Sequence, residues 1–404
     1  MSQPAALSLK LVDPTAIKAQ PVDKAGLLRP GRAEYVLWTK PMAPARDWTA
    51  SIDQAASFGI DAQRIRWITE KAVQAVPQYF LGIRDPFAMA SWGLVIAGDG
   101  SVIQPAAGVA LWRSPDLSAV PGLAMAEGRA TAPSDLLGGA QRLREPHLLL
   151  HHGEPANFGH WFMDCLSGAA TFAKEIGAGQ LRLLAGKLTS KQKEILQALD
   201  IPSSQITECE GSHVVSCSNL IVPSYLGFQN FYYPSEILLD MAGILRDRAA
   251  HHTDRWRPRR VYINRFDVAR GRIMQNEREL MSALDERGFT SLSLGTLSIS
   301  DQLDLIHDAE FIVGAHGAGM TAVAFAPPGS RVVEILPDRV VPAAWISRLC
   351  TLLGHRYAAV VSPVASENLD PIKIEGIERA DIFFKYEVDI PAVLRAVDKL
   401  STGS

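Results

Sequence analysis

The second half of this chain alternates short apolar runs with amphipathic stretches, and this alternation constrains the fold more than any other feature. Strands are predicted at 260–264, 289–294, 310–313, 331–336 and 357–361, and helices at 276–287, 298–308 and 343–353. Single helices between short strands are typical of right-handed βαβ units, so the pattern predicts a parallel, doubly wound sheet. Ligands of such sheets bind beyond the carboxyl ends of the strands.

The first half is less regular but ends in a similar α/β pattern. Strands are predicted at 35–38, 93–97, 101–104, 147–151, 181–185 and 219–222, and helices at 160–176 and 189–199. Residues 1–30 have no sustained period and predict an extended arm, and residues 114–142 predict a loop. A chain of 404 residues exceeds what one core usually covers. We therefore predict an N-terminal domain over 1–235, a second domain over 236–380, and a segment over 381–404 that packs back on the first domain.

Composition excludes several classes of protein. A formal net charge of −3 argues against a general nucleic-acid binder, which needs a basic excess. The four cysteines form no C-x-x-C pair, and the N-terminus lacks a secretory-signal pattern, so we expect reduced thiols and a cytoplasmic location. Residues 311–329 are apolar, but their four glycines and paired prolines suit a membrane-spanning helix poorly. Peripheral contact with the inner face of a membrane is compatible with the sequence.

The sequence Phe311-Ile-Val-Gly-Ala-His316-Gly-Ala-Gly-Met320 runs from an apolar strand into a glycine-rich turn that carries one imidazole. Glycines let backbone N–H groups approach an anion closely, and the start of a following helix adds partial positive charge. A diphosphate is the ligand that such a turn suits best. A tight strand-to-helix turn with a buried histidine is the alternative interpretation.

Charged residues flank this turn in the sequence. Arginines cluster around the first strand of the second half, at Arg255, Arg257, Arg259, Arg260, Arg265, Arg270 and Arg272. Guanidinium groups bind phosphate oxygens bidentately, and Arg265 follows the strand, so we expect it at the same sheet edge as His316. For 255–260 a solvated linker is the alternative, and anionic lipid is another partner for the basic run. Glu334 lies in an apolar strand and needs a partner, either a ribose diol or a nearby arginine.

A second candidate site is Asn157-Phe-Gly-His160-Trp-Phe-Met-Asp164. His160 and Asp164 are four residues apart, hence on one face of a helix that Asn157 is placed to cap. A histidine beside a carboxylate suits a general base, whereas a histidine in a buried hydrogen bond is the alternative. His151 and His152 raise the question of a metal, but adjacent strand residues point to opposite faces and no second cluster supplies further ligands. We expect no metal and no cofactor.

Four motifs taken in order resemble glycosyltransferase family 61. They are Asn157-x-x-His160-x-x-x-Asp164; Asn264-Arg265 with Arg272-x-x-x-Asn276-Glu277; Gly314-Ala-His-Gly-Ala-Gly319; and Pro328-Gly-x-x-Val-Val-Glu334. The resemblance covers about residues 145–365. The family includes eukaryotic O-linked N-acetylglucosaminyltransferases, plant xylan-decorating enzymes and bacterial capsule or exopolysaccharide proteins. Without a recognisable membrane anchor, the chain is more similar to the bacterial members.

The resemblance implies a GT-B fold, with two Rossmann-like domains facing each other across a cleft and a small irregular β-containing N-terminal region. It also implies inverting, metal-independent transfer from a nucleotide-sugar, with UDP as the nucleotide, to a hydroxyl of a glycan or lipid-linked glycan. His160 or Asp164 becomes the base, and we favour His160 with Asp164 orienting it. The donor would contact Asn157, Arg265, Arg272, Asn276, Gly314, His316, Gly317, Ala318, Gly319, Met320 and Glu334.

Two other functions fit the same residues. One is a nucleotide-sugar epimerase or hydrolase that uses the same phosphate turn. The other is a non-catalytic nucleotide-sugar-binding module. The aromatic run that contains Phe228, Tyr232 and Tyr233 could stack on acceptor sugar rings, or it could pack beside a hinge.

Overall fold

The computed structural model is a mixed α/β structure with several sheets. It describes residues 6–12, 16–29, 31–39, 50–59, 79–103, 117–126, 129–151, 158–224, 237–250, 256–268, 271–343, 345–365, 368, 372–374, 377–379 and 384–402. The chain divides into two compact units, the first formed by 1–42 and 76–228 and the second by 43–75 and 229–404. The second unit therefore takes a segment from the first half of the chain, which the predicted division near residue 235 did not include.

The largest sheet of the first unit contains seven described strands. Their spatial order is Ile206–Glu208, Arg182–Ala185, His147–Leu150, Asn219–Pro223, Tyr79–Arg84, Tyr35–Thr39 and Gln20–Pro21. The first four are parallel, whereas Tyr79–Arg84 is antiparallel to both of its neighbours. The strands predicted at 35–38, 147–151, 181–185 and 219–222 are confirmed. The strand Tyr79–Arg84 was not predicted.

Smaller sheets complete the first unit. One has the order Gln141–Leu143, Val215–Cys217, Phe87–Met89, Leu94–Ile96, Ser101–Ile103 and Lys10–Val12, and the other has the order Leu7–Ser8, Arg129–Ala132 and Ala124–Ala126. The antiparallel strands predicted at 93–104 are confirmed. The loop predicted at 114–142 is wrong, because this segment supplies strands, and the segment predicted as an extended arm at 1–30 contributes short strands. These strands are too short to show a period in sequence, and pairing with distant segments stabilises them.

The helices of the first unit are short. They are Lys24–Leu28, Ser134–Gly138, Phe158–His160, Ser167–Thr171, Ala173–Gly177 and Ser190–Ala198, with a π-helical segment at Trp161–Leu166 and 3₁₀ turns at Ala90–Trp92, Leu117–Ala119 and Ser203–Gln205. Thr189 caps Ser190–Ala198 in a complete capping box with Gln192, which confirms that prediction. Across the described residues of both units, we find no helix that is long and apolar enough to cross a membrane.

The second unit is built on a parallel sheet of five described strands. These are β1 Arg260–Ile263, β2 Thr290–Leu292, β3 Phe311–Ala315, β4 Arg331–Pro337 and β5 Arg356–Ser362. Their spatial order is β2-β1-β3-β4-β5, with every pair parallel. The predicted doubly wound sheet is confirmed. The strand order reverses between β1 and β3, and in such sheets a ligand crevice opens there, beyond the carboxyl ends of the strands.

Helices and short strands surround this sheet. The helices are α1 Ile237–Ala250, α2 Glu277–Asp285, α3 Ile299–His307, α4 Trp345–Leu353 and α5 Ile390–Thr402, with 3₁₀ segments at Leu294–Thr296, Ala318–Phe325 and Asp338–Ala343. Arg272–Met274 pairs in parallel with Phe384–Tyr386, and Ile372–Ile374 pairs with Ile377–Arg379 in an antiparallel hairpin. Two isolated bridges join residues 52 and 58 to the free edge of β5.

The C-terminal helix α5 belongs to the second compact unit, and the packing of 381–404 on the first domain stays a prediction. Its apolar face, formed by Val393, Ala396 and Leu400 among others, is buried in the same core as Phe311 of β3. The sequence of an amphipathic helix shows which face is buried but carries no information about which core receives it.

Two basic side chains anchor the 3₁₀ segment Ala318–Phe325. His355 is buried, and its Nε2 contacts the carbonyl oxygen of Val323 at 2.9 Å. Arg246 Nη1 donates to the carbonyl oxygen of Ala324 at 3.2 Å. Burial lowers the pKa of His355 to about 4, against the opposing effect of its bond to Val323. His355 is therefore neutral in the folded protein near pH 7.

Acidification should destabilise the protein through His355. The unfolded state binds a proton near pH 6.5, whereas the folded state does so only near pH 4, so stability is full above pH 6.5 and is lost as the pH falls toward 4. Between pH 7 and pH 5 we expect His355 to account for a loss of about 2 kcal/mol in the free energy of unfolding. Urea titrations of the wild type and His355→Gln at both pH values measure it. The variant keeps a donor for Val323 and should lose correspondingly less on acidification. Equal losses would contradict this assignment.

Candidate anion site at the carboxyl edge of the second unit

Arg265 and His316 meet where the strand order reverses. Ile263 of β1 lies in register with Gly314 of β3, so the residues that follow both strands emerge side by side. Arg265 Nη1 donates to the carbonyl oxygen of His316 at 3.3 Å. The prediction that these two residues share one sheet edge is confirmed.

Gly317 provides the space in which two arginines converge. A Cβ atom added to Gly317 would overlap Arg265 Nη1 and would lie 3.6 Å from Arg272 Nη2. Any side chain at this position would therefore displace the Arg265 guanidinium from the turn. Arg272 reaches this point from the strand Arg272–Met274. The backbone of Gly317 is extended, a conformation that any residue could adopt. The glycine is therefore needed for the close approach of the arginines and not for its backbone conformation.

A buried glutamate binds the backbone of Arg265. Glu277 Oε1, near the start of α2, accepts from the backbone N–H of Arg265 at 2.8 Å and from the hydroxyl of Tyr262 at 2.9 Å. Among the described residues, Arg265 Nε is buried without a hydrogen-bond partner. Glu277 belongs to one of the four motifs but was not predicted as a site residue. The sequence feature that could have identified it is an acidic residue directly after the asparagine that precedes the helix.

The electrostatics of this edge favour an anion. Two guanidinium groups side by side repel each other, and a phosphate placed between them would be bound bidentately. The start of the 3₁₀ segment Ala318–Phe325 adds partial positive charge, since the first N–H groups of a helix have no partner within it. Gly317, Ala318 and Gly319 thus lie where the sequence predicted a phosphate-binding turn. This arrangement suits a diphosphate.

His316 rests on a buried network of hydrogen bonds. Its Nδ1 lies 2.7 Å from Glu334 Oε1, and the Tyr357 hydroxyl donates to Glu334 Oε2 at 2.6 Å. The side chain of Glu334 is 0% exposed. A carboxylate only accepts, so Nδ1 of His316 carries the proton in this pair. The predicted ribose contact of Glu334 is corrected, as is the alternative of an arginine partner, because both oxygens are bound internally.

Burial controls the protonation of this network. Burial lowers the pKa of His316; Glu334 opposes that effect, while Arg272 and Arg265 add to it. Burial and Glu334 raise the pKa of Tyr357, so its hydroxyl stays protonated and donates. The ring of Trp345 packs edge-on against His316, with centroids 5.9 Å apart. His316 therefore has a fixed ring position beneath the turn.

Two residues predicted to contact the donor make hydrogen bonds within the chain. The side-chain amide of Asn276 donates to the carbonyl of Val388 and accepts from its N–H, at 2.9 and 3.0 Å. Met320 is fully buried, its N–H donates to the carbonyl of Gly317, and its sulfur packs against Gly314. The polar atoms of Asn276 and the N–H of Met320 are thus engaged within the chain, and their contact with the donor stays a prediction.

The other described arginines of the cluster are engaged elsewhere. Arg257 is nearly buried beside Asp304, at 3.7 Å, and Asp308, at 3.6 Å. Arg259 pairs with Glu310, and Arg260 stacks over Phe289 with 4.6 Å between Cζ and the ring centroid. A solvated linker does not describe Arg257 and Arg260, whereas the side chain of Arg259 is 71% exposed. Arg255 and Arg270 lie outside the described residues.

His160 lies in the first unit, at the point where an α-helical turn becomes π-helical. Phe158–His160 continues directly into the π-helical segment Trp161–Leu166. In a π-helix each N–H bonds to the carbonyl five residues back, so the turn is wider than in an α-helix. The alignment of His160 and Asp164 on one helical face stays a prediction, because the side chain of Asp164 lies outside the described residues. His160 is half-buried.

Several predicted residues cannot be placed. Asn157, Phe228, Tyr232 and Tyr233 lie outside the described residues, as does the side chain of Asp164. His151 is buried at the end of its strand, and His152 is not described. Within the described parts of the chain, no three histidine, cysteine or acidic side chains are grouped so that they could hold a metal ion.

Comparison with known proteins points to one family. Residues 158–333 match the family Glycosyltransferase 61. This segment contains His160, Arg265, Arg272 and His316, and it ends one residue before Glu334.

Similar proteins carry the same name in several vertebrates, Protein O-linked-mannose beta-1,4-N-acetylglucosaminyltransferase 2. The protein of Canis lupus familiaris is 33% identical over 84 residues, 20% of this chain and 14% of the relative. That of Takifugu rubripes is 34% identical over 89 residues, 21% of this chain and 15% of the relative. That of Xenopus tropicalis is 35% identical over 85 residues, 20% of this chain and 15% of the relative. The chain thus aligns with only 14% to 15% of each relative's length. Both comparisons support a glycosyltransferase.

Replacing Gly317 should weaken anion binding without unfolding the protein. In Gly317→Ala the new methyl group meets the end of the flexible Arg265 side chain, which can move away at little cost. We expect a melting temperature close to that of the wild type and a Kd for inorganic pyrophosphate raised about tenfold or more, measured by calorimetry. Gly243→Ala, with open space around it, is the control and should bind normally. Unchanged binding by Gly317→Ala would argue against the site.

Replacing Glu334 should destabilise the second unit. Glu334→Gln keeps the volume but offers one acceptor oxygen where His316 and Tyr357 need two. We expect the free energy of unfolding to fall by about 1–3 kcal/mol, the cost of one buried polar group left without its partner. Denaturant titration measures the change, with the exposed Glu279→Gln as control. Equal stability of the two variants would show that the carboxylate is dispensable.

Proposed function

We propose that this protein is an inverting, metal-independent glycosyltransferase that uses a nucleotide-sugar donor, with UDP as the nucleotide. The observation that carries the proposal is the convergence of Arg265 and Arg272 over Gly317, where the strand order of the second unit reverses. The family match over residues 158–333 supports the same reaction class. We further propose that the two units are the two Rossmann-like domains of a GT-B enzyme, with the second binding the donor.

The chemistry of the leaving group explains why such a site would be cationic. When the bond between the sugar and the diphosphate breaks, negative charge develops on the diphosphate, and fixed positive groups stabilise it. Arg265 is suited to this role because Glu277 and the carbonyl of His316 hold it in place. Two guanidiniums and the start of Ala318–Phe325 would supply the positive charge that other transferases take from a metal ion.

His160 is proposed as the general base. It would accept the proton of the acceptor hydroxyl while the oxygen of that hydroxyl attacks the anomeric carbon of the sugar. In the same step the bond between this carbon and the diphosphate oxygen breaks, and the nucleoside diphosphate leaves. One displacement inverts the configuration at that carbon. In this proposal Asp164 orients the imidazole. The π-helical segment beside His160 supports a functional role, because π turns within helices occur frequently at functional sites.

The acceptor is proposed to be a hydroxyl of a glycan or lipid-linked glycan. The relatives are named for transfer of N-acetylglucosamine to O-linked mannose. For this chain we propose a role in capsule or exopolysaccharide synthesis in the cytoplasm, with the aromatic residues Phe228, Tyr232 and Tyr233 as candidates for stacking on the acceptor.

The donor is tested by ligand-induced thermal stabilisation. The purified protein is heated with UDP-, GDP-, CMP- and dTDP-sugars, each with EDTA and with added Mg²⁺ or Mn²⁺. A ligand at about a hundred times its Kd adds about 2.7 kcal/mol, which shifts the melting temperature measurably. We expect UDP-sugars alone to stabilise the protein, equally with and without metal. A shift that requires metal would contradict the metal-independent mechanism, and no shift would contradict donor binding.

The base is tested with His160→Ala. A general base acts mainly in the transition state, so we expect turnover of the bound UDP-sugar to fall by about 10²–10⁴-fold while its Kd stays nearly unchanged. The exposed His213 of the same unit gives the control variant His213→Ala, which should keep full turnover. Loss of donor binding in His160→Ala would refute the role of base. Turnover of donor without any acceptor would favour the hydrolase or epimerase.

A further inference from the structure

Tyr386 carries a buried hydroxyl for which the described residues provide no hydrogen-bond partner. The residue ends the short strand Phe384–Tyr386, in register with Met274 of the strand that begins at Arg272. Its side chain is almost fully buried, with the ring 6.0 Å from that of Phe384. The hydroxyl oxygen is itself inaccessible, and no donor or acceptor of the described chain bonds to it.

A hydroxyl in this state needs an explanation. Native proteins satisfy most buried polar groups, because burying a hydroxyl without a partner costs free energy that folding must recover elsewhere. A phenylalanine would fill the same space without that cost. Tyr262 shows the ordinary arrangement nearby, since its buried hydroxyl donates to Glu277. The Tyr386 hydroxyl is therefore left as an unused hydrogen-bonding group among the described residues.

The surroundings of this hydroxyl indicate the class of ligand that suits it. Arg265, Glu277 and Arg272 are the charged groups that act on it electrostatically. Two of them are the arginines that converge over Gly317. A group held between two guanidiniums is an anion, and the oxygens of a phosphate accept hydrogen bonds readily.

We propose that Tyr386 is a further phosphate-binding residue, whose hydroxyl donates to an oxygen of the phosphate group bound by Arg265 and Arg272. The inference rests on the proposed function in taking that phosphate to belong to a nucleoside diphosphate. Tyr386 follows Arg272 by more than a hundred residues, so the chain closes this site with a distant segment. Burial raises the pKa of Tyr386, which keeps the hydroxyl protonated and able to donate throughout the physiological range.

The variant Tyr386→Phe separates a ligand contact from a structural role. It removes only the hydroxyl. If this hydroxyl bonds to a ligand and to no protein group, its removal leaves the melting temperature of the free protein unchanged or raises it. The same variant should raise the Kd for inorganic pyrophosphate and for UDP about tenfold by calorimetry. Tyr35→Phe, in the first unit, is the matched control and should bind both ligands like the wild type.

Each outcome of this experiment decides the proposal. Unchanged pyrophosphate affinity in Tyr386→Phe would overturn it and would assign the hydroxyl to an ordered water molecule. Failure of the wild type to bind pyrophosphate would overturn it as well. If Tyr386→Phe weakens pyrophosphate binding while no nucleotide-sugar binds the wild type, Tyr386 is confirmed as a phosphate ligand and the proposed glycosyltransferase donor site fails alone.

Discussion

The buried carboxylate of Glu334 is the constraint on which the candidate site depends. It lies in the middle of β4 with no exposed surface and bonds a histidine from the turn after β3 and a tyrosine from β5. A buried carboxylate is tolerated only when its oxygens are satisfied, so His316 and Tyr357 are held in single positions. The glycine-rich turn that follows His316 is thereby fixed to the sheet.

A second buried acid fixes the opposite side of the site. Glu277 bonds the backbone of Arg265 and thus sets where this arginine leaves β1. The carbonyl of His316 then receives the Arg265 guanidinium. The two acids act on the two strands that flank the point where the strand order reverses. A cationic site that is already assembled needs no rearrangement when an anion enters, which is the condition for strong electrostatic stabilisation.

Much of the second unit could be predicted, because its order is local. The strands, helix caps and glycine-rich turn at 260–361 follow from periodicity and from the preferences of single residues. Arg265 could be placed beside His316 because adjacent parallel strands end at one edge. The first unit was harder, since strands such as Tyr79–Arg84 and Ala124–Ala126 are defined by their pairing with segments far away in sequence. The π-helical turn beside His160 also gave no sequence signal.

The doubly wound sheet and the chemistry of its edge follow from the sequence alone, because the alternation of apolar runs and the positions of Gly317, Arg265 and His316 are properties of short segments. The partner that each polar residue meets depends instead on how distant segments pack. Glu334 supports His316, Asn276 binds Val388, and the strand that ends at Tyr386 pairs with the strand that begins at Arg272. These partners lie far apart in the chain, and hydrogen-bond geometry between distant segments is set by packing that no local pattern encodes.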